Sequence, residues 1–370
     1  MNPSKINWTN VIFFGVTHIL GLIAAPLYIY FNGISWGEIA LFLFYFSITG
    51  IGITVGYHRL FTHRAYKVGK WVTFLNLFFG AAAFEQSAID WASHHRDHHR
   101  YVDTDKDPYS IKKGFFFAHM GWMIFWNTPP TYPNVKDLQN DPMIQHQHTH
   151  YLAWAIVSGI FLPFLIGVAM GHGLGALLIS VCARIALVYQ GTWCINSVAH
   201  TFGQKPYDLA VSAKDNWFAA LFTWGEGYHN FHHRFPNDYR NGIRWYQWDP
   251  SKWLIALLKA VDLASDLKRT SKFKILNAKI SAQNNQAILT LNNFTHWSEH
   301  LHIHESISSK YAQVISLLQK WEQQYATQKP LKFARARTKL IKKQFRKAYR
   351  EWAKLQDCFV YLPKVAPLLS

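Results

Sequence analysis

Two apolar hairpins leave this chain few ways to fold. A membrane-crossing helix needs about 20 predominantly apolar residues, and four segments have that length: 11–31, 34–55, 151–170 and 174–198. Asn32-Gly33 alone joins the first pair and Gly171-His172-Gly173 the second, and neither connector carries a lysine or arginine. The segment 56–150 carries 10. Lysine and arginine mark cytoplasmic loops, so that segment, both termini and the active site are expected in the cytoplasm. Four spans in two hairpins give the same answer. The expected fold class is all-α: an integral, multi-pass, four-helix transmembrane bundle with a cytoplasmic helical cap, in a bacterial inner membrane. A soluble core helix can be equally apolar, but four such runs with uncharged connectors of two or three residues argue against one.

A fifth apolar run, 71–88, is also long enough to span. Crossing there would put the histidines before it and after it on opposite faces. It is therefore expected to dip into the membrane or lie along its cytoplasmic interface, with Glu85 and Asp90 emerging into polar surroundings. Segment 114–125 is too short to span and is expected to lie flat at the interface.

Charge divides the rest. Only 16% of residues are charged, against about a quarter in typical domains. From Leu267 onward there are 19 Lys+Arg against 5 Asp+Glu, so about +14 of the net +17 lies in the tail. Two domains are expected: 1–270, the membrane body, and 271–370, a basic and mostly helical cytoplasmic extension. Cys182, Cys194 and Cys358 are the only cysteines, too few for a four-thiolate iron–sulfur cluster. The N-terminus lacks a short apolar region with a small-residue cleavage site, so no cleaved signal peptide is expected.

Histidine is the residue with the sharpest pattern. His95, His98 and His99 stand at i, i+3 and i+4, and His229, His232 and His233 repeat that spacing. On a helix each packet presents three imidazoles within roughly 100° of one another. His58 and His63 are five apart, about 140° on an α-helix, so they are expected to straddle a helix end or to reach different metals. His200 ends the fourth span, with Asn196 one turn earlier. That makes nine histidines on one side of the membrane. A single structural zinc takes four ligands, so nine fit two metals better than one, and imidazole suits iron, zinc, copper and nickel alike. Asp90, Asp97, Asp103, Asp107 and Glu226 are candidates to orient the rings. His18 is expected to bond a neighbouring helix, His119 to be structural, and His146, His148 and His150 to lie in a solvated loop. His94 can be an outer-shell group; His172, in a hairpin, and His296, His300, His302 and His304, on a surface strip, carry no expected role.

The motifs HRLFTH, HRDHH, NSVAH and GEGYHNFHHRFPNDYR, in this order and with four spans, resemble the membrane fatty acyl-CoA desaturases of the stearoyl-CoA desaturase type. DPYSIKKGFFFAHMGW is similar as well, and the resemblance covers roughly residues 10 to 270. It implies an oxidoreductase that introduces a cis double bond, at Δ9, into a saturated acyl chain. It also implies two iron ions and O2 as cosubstrate. The implied ligands are His58, His63, His95, His98, His99, His200, His229, His232 and His233, with Asn196 acting through a water. Thr192 and Trp193 match residues lining a kinked substrate tunnel, and Trp91 is a further candidate; for Trp193 the alternative is an interfacial anchor. The four residues between His58 and His63 favour desaturation over the related membrane hydroxylases, whose motif usually has three. A membrane metal-binding or transport protein is the reading from another class, but transport needs polar residues along the spans, and these offer only isolated ones such as His18 and Arg184.

Two pairs depart from the animal acyl-CoA enzymes. Ser93-His94 and Trp126-Asn127 stand where those carry Arg-Asp and Arg-Lys at the CoA headgroup. The substrate is thus expected to be a fatty acyl-CoA or another acyl thioester or lipid; Lys112, Lys113 or Arg240 are candidate replacement cations. No electron-carrier domain is evident, so a separate ferredoxin, rubredoxin or cytochrome b5-like donor with its reductase is expected. The end of the tail, KPLKFARARTKLIKKQFRKAYREWAKLQ, reads as a basic amphipathic helix. Membrane lipid is its first expected partner, ahead of an acidic donor or acyl carrier, or of a solvated helix packing one apolar stripe. Nucleic acid is not expected beside a membrane body.

Overall fold

The computed structural model describes residues 6–125, 132–292, 297–326 and 332–365, with the side chains of 292, 297–303, 332–335 and 357–365 also left out. Trp126-Asn127, His296, and the side chains of His300, His302 and Cys358 lie outside the described residues.

The described chain is mostly helical, with one two-stranded pairing, Lys67–Val68 against Ala264–Ser265, and two isolated β-bridges at Asp215. Four helices are long and apolar enough to cross a membrane: α1 (Trp8–Asn32), α2 (Trp36–Thr62), α5 (Tyr151–Ala169) and α6 (Gly173–Thr201). Between α2 and α5 lie α3 (Lys70–Ala81) and α4 (Ala88–Tyr101). After α6 come α7 (His229–Arg234) and α8 (Pro250–Ala260). The span starts lie within three residues of the apolar runs, and α2 continues to Thr62, seven residues beyond the run. Hydrogen bonding, not hydropathy, sets where a helix stops, and polar residues at a membrane face can continue it.

That extension of α2 carries chemistry. Over Gly52–Thr62 the helix is wound as a π-helix, the rare i→i+5 form found mostly at functional sites. Its last turn closes from His63 N to His58 O at 3.1 Å. Residues five apart therefore share a face, and the two rings meet at 4.8 Å between centroids. The 140° separation of an α-helix does not apply.

The 71–88 run does not form a spanning helix. α3 has 12 residues, about 18 Å at 1.5 Å per residue, well short of a hydrocarbon core of about 30 Å. It packs so closely on α2 that a Cβ on Gly52 would sit 2.5 Å from Gly80 N. A turn follows, with Phe84 and Gln86 at positive φ (62° and 72°). Buried Arg184 of α6 donates to Ala82 O, Gly159 O and Ser180 O, and Tyr189 donates to Phe84 O. α4 then starts in a capping box of Ser87 and Asp90, which satisfies the first backbone N–H groups. His18 is likewise partnered, through Phe14 O and Gln190 on α6.

Two compact units divide the chain: residues 1–204 with 211–269, and 205–210 with 270–370. The second unit thus takes in a short loop ahead of the 270 boundary. It holds three helices, α9 (Lys272–Asn292), α10 (Trp297–Ala326) and α11 (Lys332–Val365), around a core of Phe273, Ile280, Val314, Leu318, Phe345 and Trp352.

Candidate metal centre

Four helices deliver the nine histidines to one place: the end of α2, α4, the end of α6, and α7, which follows a strained turn. Trp224 (φ 49°) and Gly225 (φ 99°) lie in that turn. A Cβ on Gly225 would sit 2.7 Å from Asp249, so only glycine fits.

The rings sort into two groups. His58, His63, His95, His99 and His232 form one, and His98, His200, His229 and His233 the other, with the ligand atoms of each group all within 4.8 Å of one another. In each HxxHH packet the i, i+4 pair serves one group and the remaining histidine the other. α4 gives His95 and His99 to the first group and His98 to the second. α7 gives His229 and His233 to the second and His232 to the first. His58 and His63, which were candidates for different metals, fall in the same group.

These nitrogens cannot satisfy one another. A carboxylate only accepts, so a neutral ring facing one donates through Nδ1 and keeps a bare lone pair at Nε2. Asp107 Oδ1 lies 2.8 Å from His98 Nδ1, and Glu226 Oε2 stands 2.9 Å from His58 Nδ1 as an ion-pair contact outside hydrogen-bond geometry. Ser212, donating to Asp103, accepts from His200 Nδ1 at 2.6 Å. Yet Nε2 of His58 lies 3.0 Å from Nε2 of His232, His98 3.3 Å from His233, and His200 3.1 Å from His229. His232 Nε2 is also 2.9 Å from that of His99 and has at most one proton for both neighbours. Buried His63 Nε2 has no hydrogen-bond partner. A cation in each group removes the conflict. Nitrogens at right angles around a metal at about 2.1 Å stand about 3 Å apart, close to these separations. Burial first, then the neighbouring rings, holds His63, His95, His99, His229, His232 and His233 well below the usual imidazole range. Neutral rings are what a metal needs.

Two of the five acidic candidates, Asp107 and Glu226, stand beside a ring, and Asp103 acts through Ser212. Asp90 instead caps α4 and bonds Tyr132, and Asp97 accepts from Asn134 at 2.9 Å; both point away from the cluster. Sequence reasoning missed Tyr109, whose hydroxyl lies 3.0 Å from His95 Nδ1, and Ser212. Asp107 and Tyr109 sit together in DPYS, so a ring-orienting role was legible there; Ser212 had no signal. His119 bonds Ser197 and Gln190. His148 bonds Ser87, and His146 and His148 lie on a helix, Pro142–Thr149, that His150 caps, rather than in a loop.

A mostly apolar cleft meets both groups, touching His58, His95 and His229. Trp91, Thr192, Trp193 and Asn196 all line it. Trp193 is fully buried and stacks on His18, so it does not anchor the chain at an interface. Glu85 is buried as well, not emerging into water. Its carboxylate accepts from Thr192 Oγ1 at 2.7 Å and Trp91 Nε1 at 3.1 Å, tying the two cleft walls together; burial pushes it up to about 7. Of the candidate headgroup cations, Arg240 is engaged by Asp238, Lys113 donates to the carbonyls of Asp105 and Asp107, and Lys112 is exposed.

The profile of the fatty acid desaturase family matches residues 34–256, an interval that holds all nine histidines. The chain belongs to the fatty acid desaturase family. It is 41% identical over 268 residues to a probable acyl-CoA desaturase of Schizosaccharomyces pombe, covering 71% of this chain and 54% of that protein. To acyl-CoA desaturase 1 of Saccharomyces cerevisiae it is 39% identical over 284 residues, 75% and 55% of the two chains. To the sn-1 stearoyl-lipid 9-desaturase of Anabaena variabilis it is 35% identical over 274 residues, 72% and 96%. The chain thus spans about half the length of the two fungal relatives and nearly all of the cyanobacterial one.

Outer partners of metal ligands set ring orientation and typically carry about 10–100-fold in metal affinity. Asp107→Asn keeps an acceptor near His98 but loses the charge. The expected result is faster loss of one metal per chain on titration with a chelator, with the helical signal unchanged.

Proposed function

We propose that this family member catalyses O2-dependent desaturation of a saturated fatty acyl chain, forming a cis double bond at or near Δ9. The observation that carries the reading is a pair of histidine groups opening onto one apolar cleft. The nine histidines would hold two irons, with Asn196 completing the four-nitrogen group through a water. Bound iron supplies the oxidising power that removes hydrogen from an unactivated methylene, which no side-chain acid or base can attack. The balance is one CH2–CH2 unit, O2, two electrons and two protons giving one CH=CH unit and two waters.

The chain's own residues do the rest. Neighbouring methylenes are chemically alike, so position must come from geometry. Trp91, Thr192 and Trp193 form cleft wall beside the histidines, and Glu85 fixes the distance between Trp91 and Thr192. Apolar side chains exclude water around the acyl chain. Asp107, Glu226 and Ser212 hold the rings of His98, His58 and His200 with their Nε2 atoms inward. The acyl group would arrive as a CoA thioester or a lipid, the two forms named among the relatives. The electrons would come from a separate donor. By the loop charges, the histidine face is cytoplasmic.

The deciding experiment is expression in cells fed a deuterated saturated fatty acid, with product double bonds located by mass spectrometry. A mid-chain cis-alkene absent from control cells is expected. A hydroxylated product without alkene would replace desaturation by hydroxylation.

A further inference from the structure

The C-terminal unit turns the basic tail into a defined surface. Along α11 the apolar residues Phe345, Ala348 and Trp352 face inward and are buried in the core with Val314 and Leu318. Lys339, Lys343, Arg346, Lys347, Arg350 and Lys354 are exposed. From 339 to 354 they run along about 24 Å of helix. The only acidic residue in that stretch, Glu351, pairs with Lys310 at 2.9 Å. Lys342 lies over the Trp321 ring and helps to seal the bundle.

This arrangement leaves no apolar face for insertion into lipid, so any lipid contact would be through surface charge alone. A helix that binds membrane by insertion keeps its apolar face free for the acyl boundary, and α11 has spent that face on its own bundle. What remains outward is charge of one sign on a rigid element, the feature that steers a protein of opposite charge and sets its encounter rate. Desaturation consumes two electrons per turnover, which a donor protein would deliver.

We propose that the outward cationic face of α11 docks an acidic, soluble electron-carrier protein. The proposal rests on the desaturase reading for the carrier's purpose. The test uses the full chain in nanodiscs of zwitterionic lipid, wild type against Lys343→Glu/Arg346→Glu/Lys347→Glu, three exposed positions outside the bundle core. The probes are a plant-type [2Fe–2S] ferredoxin and a soluble cytochrome b5 domain, each fluorescently labelled, with binding followed as salt is raised. Wild type is expected to bind at least one of them at low ionic strength and to release it with salt. The variant is expected to bind it about tenfold or more weakly. A charge-neutral variant, Lys343→Gln/Arg346→Gln/Lys347→Gln, with an unchanged melting profile, is expected to fall between the two. Equal binding by wild type and charge-reversal variant overturns the proposal, as does failure of both carriers to bind wild type. A difference between the two chains that arises only in discs of anionic lipid, seen as protection of the tail from protease, also overturns it, in favour of lipid. Turnover driven by reduced methyl viologen is read in parallel and is expected to be equal in wild type and variant. Its absence in both counts against the desaturase reading, while carrier binding still reports on docking.

Discussion

Alanine at His232 is expected to abolish the proposed double-bond formation and, with the two groups holding iron as proposed, to lower it from two per chain toward one. His232 is the hub of the five-nitrogen group, with Nε2 3.0 Å from that of His58 and 2.9 Å from that of His99. It is also buried, on a helix of six residues. Losing an outer partner typically costs about 10–100-fold in metal affinity, and losing the ligand itself should exceed that. The second group keeps all four of its nitrogens, which is why one iron is expected to remain. Metal analysis of purified protein and mass spectrometry of fed cells check the two halves. His146→Ala is the control: that ring stacks on His150 away from both groups and should change neither readout. Full iron and full activity in His232→Ala would remove it from the centre.

The spans were legible because apolar length and uncharged connectors are local properties of sequence. The identity of the clustered histidines was legible because i, i+3, i+4 spacing already implies one helical face. How they divide into two groups was not. That depends on the π-helical winding at the end of α2, which brings His58 and His63 onto one face, and on the relative rotation of α4 and α7. Neither leaves a pattern in the chain. Asp90 and Asp97 misled because they are near the histidines in sequence, and a helix carries residues two or five positions away onto other faces. Glu85 was legible as polar but not as buried; its place follows from the turn held by Arg184, a contact across 100 residues of sequence. In the tail, an amphipathic pattern is the same for a helix that meets lipid and one that meets other helices. Only the packing of Phe345 and Trp352 distinguishes them.

The second large effect is expected at Arg59, next to the ligand His58 in sequence but turned away from the metal groups. Its guanidinium is buried and donates to Glu226 Oε1 at 2.8 Å and to Tyr239 O at 2.8 Å, and it pairs with Asp249 at 3.0 Å. Glu226 and Asp249 are themselves buried. Burial alone would raise the Glu226 carboxyl, but the His58 ring and then the Arg59 guanidinium draw it down to about 2. Arg59→Met fits the volume and removes the charge, stranding two buried carboxylates. Breaking a buried ion network on one side costs about 3–5 kcal/mol. Asp249 also caps α8 through Lys252 N and holds the backbone of Asn241 and Gly242, so the loss should loosen the whole segment behind α7. The expected result is a clearly lower melting temperature in detergent and weaker iron retention, because Glu226 no longer aims His58. Arg59→Lys restores charge without the planar fork and should recover only part of the stability. Adding Glu226→Gln to Arg59→Met removes one stranded charge, so the double variant should melt higher than the sum of the two single losses predicts. Strict additivity, or wild-type melting in Arg59→Met, would show that these three charges do not act as one network.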